Sequence, residues 1–61
     1  MKQVFTFGCG QVHDGKYIVI SGKSKAGCRK KMFDMFGQKW AFQYNNKEDA
    51  GVERFNLVEL K

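Results

Sequence analysis

Cys9, His13, Asp14 and Cys28 are the residues whose types could hold a metal or attack a carbonyl carbon. Thiolate, imidazole and carboxylate are all zinc ligands, but a structural zinc site takes four of them, usually with a close pair of cysteines. Here Cys9 and His13 stand four residues apart in a glycine-flanked stretch, and Cys28 is distant. With no Cys-x-x-Cys and no second His, the set lacks a convincing fourth ligand, so no metal and no cofactor are expected. Cys9 with His13 is also the one nucleophile–base pair of the chain. Such a pair needs an orienting third group and a rigid oxyanion pocket. A chain of 61 residues buries only about 60% of its unfolded surface, which leaves little for an enclosed pocket. No catalytic residues are expected, and the protein reads as a binder and not an enzyme. Two cysteines are too few for a disulfide scaffold, although spacing alone leaves a Cys9–Cys28 bridge open.

Lys23, Lys25, Arg29, Lys30 and Lys31 place five cations within nine residues. The chain carries 11 Lys plus Arg against 6 Asp plus Glu, for a net charge of +5. Residues 1–44 hold eight basic and two acidic side chains, and residues 45–61 hold three basic and four acidic. The positive charge is therefore concentrated. Cations near a helix N-terminus oppose the helix dipole by about 0.3–1 kcal/mol each. Three readings of the cluster stay open: a solvated face that aids solubility, a phosphate-contacting surface, or a surface for an acidic protein. Gly22-Lys23-Ser24 resembles the end of a phosphate-binding loop. The full motif needs a Gly five residues before Gly22, where Tyr17 stands, so nucleotide hydrolysis is excluded.

Trp40, Phe42 and Tyr44 alternate with Ala41 and Gln43. On one strand face such a stripe can close a core or stack nucleic-acid bases. Tyr17, Trp40 and Tyr44 are the candidate aromatic contacts. The Phe5–Gly10 stretch mixes aromatics and glycines but does not match the RNA-binding RRM signature.

These residues need elements to position them. Val4, Phe5, Thr6 and Phe7 predict a strand over 2–7, and Lys16 to Ser21 a second one after the Asp14-Gly15 turn. Ser24 is a candidate N-cap for a helix over 25–36. Cys28, Met32, Met35 and Phe36 form its apolar stripe, Ala26 and Phe33 widen it, and Gly37 stops it. Residues 39–44 predict a third strand. Asn46 can cap a short helical turn over 46–50, and residues 55–60 predict a weak last strand. The order ββαββ implies an α+β fold, a single small domain over 1–61, with one helix packed on a small, mostly antiparallel sheet. Phe5, Phe7, Ile18, Ile20, Met32, Phe36, Phe42 and Leu57 are the expected core. No stretch approaches the roughly 18 apolar residues of a membrane span, and the alternating N-terminus does not read as a signal peptide. No membrane association is expected, and the oligomeric state is not specified.

Two stretches resemble a family. Phe5-Thr6-Phe7-Gly8-Cys9-Gly10-Gln11 and Lys31-Met32-Phe33-Asp34-Met35-Phe36-Gly37-Gln38-Lys39-Trp40-Ala41-Phe42-Gln43-Tyr44 are similar to a group of small uncharacterised bacteriophage and prophage proteins. The resemblance implies phage origin and a location in the cytoplasm of the bacterial host. It implies no reaction. Small phage accessory proteins commonly bind host machinery. The leading expectation is therefore a binder of a host protein or nucleoprotein complex, with counter-defence inhibition of the anti-CRISPR type included. The alternative is a direct nucleic-acid-binding module that uses the basic first half of the helix. Lys23, Lys25, Arg29, Lys30 and Lys31 are the expected phosphate- or acidic-partner-binding residues in either case.

Overall fold

The computed structural model describes residues 1–8 and 10–60. The chain forms β1 (Lys2–Thr6), β2 (Lys16–Ser21), α1 (Lys25–Phe36), β3 (Phe42–Tyr44), α2 (Lys47–Ala50) and β4 (Val58–Glu59). Four strands make one sheet in the order β3-β1-β2-β4. β1 is antiparallel to β2 and to β3, with Phe5 opposite Ile18 and Gln43. β4 is parallel to β2. The sheet is thus mixed and not mostly antiparallel. Direction is the part that alternation cannot report, because either direction shows the same faces to the core. β4 must follow α2, and it enters beside β2 with Val58 N–H donating to the Gly15 carbonyl (3.1 Å) and Leu60 N–H to that of Tyr17 (2.7 Å).

Period two divides β1. Phe5 joins Phe7, Ile20, Cys28 and Met32 under α1. Val4 joins Tyr17 and Ala50 on the other face, beneath α2 and the segment that follows it. The sheet is therefore covered on both sides. Phe5, Cys28 and Met32 are fully shielded at 0% exposure. Ile18 and Phe36 are half-buried against the first cluster and Leu57 against the second. Phe42 is a correction: it is 63% exposed and belongs to no core. β3 lies at the sheet edge with only three residues, and Phe42 at its start lies beyond the second cluster, which Tyr44 at its end joins.

α1 begins where Ser24 Oγ accepts from Gly27 N–H at 3.1 Å. It ends where Gly37, at φ 62°, donates to the Phe33 carbonyl at 2.9 Å. Its buried line is Cys28 and Met32, continued by half-buried Phe36, at a spacing of four. Met35 (52% exposed) and Ala26 lie outside it. Met35 faces the 10–15 loop at Val12 and His13 instead of the sheet. Replacing Ser24 by Ala removes the cap acceptor, and the urea midpoint is expected to report a loss of about 1 kcal/mol. Asn46 caps α2 likewise, accepting from Asp49 N–H at 2.7 Å, and Gly51 ends it in the left-handed conformation at φ 75°.

Candidate functional site

The sequence predicts a third strand over 39–44, but regular pairing starts only at Phe42. Trp40 consequently leaves the expected stripe. It turns to the α1 side, where its ring meets Phe5 edge-on at 5.1 Å and Phe33 at 5.4 Å. Its Nε1 donates to the Gly37 carbonyl at 3.1 Å. Phe42 and Tyr44 share the opposite face, with rings 6.2 Å apart, and Tyr44 packs on the second core cluster. Tyr17 offers no free ring face: it is 7% exposed, with Lys47 Nζ 5.7 Å from its ring.

Gln43 points to the α1 side and ties three elements together. Its Nε2 donates to the Lys25 carbonyl at 3.1 Å and to Gln3 Oε1 at 3.2 Å. Gln3, only 3% exposed, passes the chain on to Asn45 Oδ1 at 3.4 Å. Buried amides need such partners. The Gln3–Gln43 link joins β1 to β3, and the bond to Lys25 sets the first turn of α1 against β3. Sequence reasoning left Gln3 out. Its alternation with Phe5 was the available signal, since it puts residue 3 on the core face.

Between α1 and β3 lies a groove of about 470 Å³ with Lys25, Arg29, Trp40, Phe42 and Gln43 on its walls. The Arg29 guanidinium sits 5.7 Å from the rings of both Phe33 and Trp40. A cation over an exposed ring gains about 0.5–1 kcal/mol, and the flat aromatic support holds the donor fork ready for a carboxylate or phosphate. Asp49 lines the groove where α2 borders it.

The remaining cations lie elsewhere. Lys31 reaches the other flank of α1 and donates through Nζ to the Ser21 carbonyl. Lys23 and Lys31 line a separate shallow depression with Gly22 and Gly27. Lys30 is exposed, on the helix side away from the buried line. Helical rotation thus splits a cluster that is continuous in sequence, and it brings Lys25 and Arg29 together.

Cys9 lies outside the described residues, and with it the Cys9–His13 and Cys9–Cys28 pairings. His13 is packed edge-on to Phe7 at 5.2 Å and Phe36 at 5.5 Å. Cys28 is buried beneath the helix, its Sγ 3.5 Å from the Ile20 carbonyl. Positions 28 and 36 are about two turns apart, about 12 Å along the axis, so His13, packed at Phe36, is well separated from Cys28. Among the described residues no three His, Cys, Asp or Glu side chains gather as a metal site. No helix among them is long and apolar enough to cross a membrane. Searches against protein-family models, curated proteins and solved structures return no match.

Proposed function

We propose that this chain is a small accessory protein of phage or prophage origin that acts by binding, in the cytoplasm of a bacterial host. Its target is a host protein or nucleoprotein complex, met through an acidic surface, and counter-defence inhibition of the anti-CRISPR type is one form that such binding takes. The observation that carries the binding mode is the convergence of Lys25 and Arg29 on one groove, with Arg29 supported by Phe33 and Trp40. Lys25 opens α1, whose first turn carries no acid, so this cation also acts against the helix dipole. Such an arrangement gains from an external anion.

A second reading has its own observation. Phe42 is 63% exposed and lines the same groove from the other side of the β3 edge, and an exposed ring within reach of positive charge suits a single-stranded nucleic acid. One experiment separates the two. Tagged protein and the Lys25→Glu/Arg29→Glu variant are each used to capture host-lysate partners, with and without nuclease, at low and moderate salt. The expected result is a discrete protein retained by the wild type after nuclease treatment. The variant should bind that protein about a hundredfold more weakly, with an unchanged circular dichroism spectrum. Binding that disappears with nuclease and falls steeply with salt transfers the site to nucleic acid.

A further inference from the structure

We propose that the outer edge of β3 accepts an extended acidic segment of a partner protein as a fifth strand, an inference that rests on reading the groove as a protein-binding surface. β3 is terminal in the sheet. An edge strand leaves half of its N–H and C=O groups without a strand partner, and a peptide can complete that ladder. Two further observations say what kind of peptide fits. On the α1 side of the edge stand Lys25 and Arg29, with Gln43 between helix and strand. On the opposite side Phe42 projects at 63% exposure, with Tyr44 beside it.

Side chains of an added strand alternate between these two sides. One set therefore meets two cations and the other meets an exposed aromatic ring. The matching segment alternates Asp or Glu with an apolar residue. The opposite edge of the sheet does not offer this combination. β4 has two residues, one of them Glu59. A second copy of the chain is a poor occupant of the β3 edge, because edge-to-edge pairing would bring Lys25 and Arg29 of both copies together in a protein of net charge +5.

The test uses the intact protein and an eight-residue peptide of alternating Asp and Val, blocked at both termini. Two further peptides carry backbone N-methyl groups, one on every Asp and one on every Val. In a paired strand only alternate residues point their N–H and C=O at the neighbour. Amide shifts of the protein are followed by NMR. The expected result is that one methylated peptide binds about tenfold or more weakly while the other binds as the parent does, with shifts centred on Phe42–Tyr44. The Arg29→Glu variant should lose the parent peptide by a similar factor. Equal binding by both methylated peptides would overturn the edge pairing and leave the acidic-surface reading standing. Equal binding by a block peptide of four Asp and four Val would do the same. No shift with any acidic peptide at millimolar concentration, alongside binding of a thymidine oligonucleotide, would overturn both. No shift with either probe would overturn the edge pairing.

Discussion

Phe5→Ala is expected to leave the chain without a stable fold. Phe5 is fully shielded on the strand that pairs on both sides, and its ring meets Trp40 at 5.1 Å. Removing a buried phenyl ring costs about 3–5 kcal/mol in transfer and cavity terms. A 61-residue domain has a total stability of about 3–9 kcal/mol at typical values per residue. The loss therefore spans much or all of the margin. Amide dispersion in NMR and the urea midpoint at 25 °C measure it. Phe5→Leu, which keeps most of the volume, should remain folded with a lowered midpoint. A Phe5→Ala protein within 1 kcal/mol of wild type would refute the placement of Phe5 at the centre of the α1 cluster.

Gly22→Ala is expected to cost about 1–3 kcal/mol by overpacking. An added Cβ would stand 2.9 Å from Cys28 Sγ and 3.0 Å from Cys28 N. The position lies where β2 gives way to α1, with Gly22 N–H donating to the Met1 carbonyl at 2.8 Å. In an uncrowded place the same change would stabilise the protein by about 0.4–1 kcal/mol through the unfolded chain, so even the sign is diagnostic. Cys28→Ala removes the sulfur contact but leaves the backbone one. In the double variant the two losses should fall short of their sum by about 1 kcal/mol. Strict additivity in urea unfolding would mean that the thiol is not what the new methyl meets.

The elements that the sequence announces locally are the ones that stand where expected. α1 over 25–36 follows from Ser24, the spacing of Cys28, Met32 and Phe36, and Gly37. β2 over 16–21 follows from its β-branched run, and α2 from Asn46. What depends on distant partners was not legible. Phe42 alternates like a core residue, yet it stands at the sheet edge and stays 63% exposed. Trp40 shares that alternation but lies before the paired segment, so it serves the other face of the sheet. The last strand is Val58–Glu59 and not 55–60, because residues 51–56 continue as turns with Asn56 at φ 52°. The basic cluster was legible as charge. Its division between two flanks of α1 follows from helical rotation together with the direction of Cys28 and Met32.

The parallel pairing of β2 with β4 bears on the order in which the molecule assembles. Thr6 and Tyr17 are 11 positions apart and can meet early, whereas Lys16 and Val58 are 42 apart. On loop-closure entropy alone the second encounter costs about 1.2 kcal/mol more. Parallel closure also waits on the chain crossing that carries α1, β3 and α2 around the sheet. The β1–β2 hairpin and α1 are therefore expected to precede β4 in folding, an order that φ-values at Phe5 and Val58 would measure. During that interval β2 is itself an unguarded border, and the final two-residue strand acts as the late clasp that retires it.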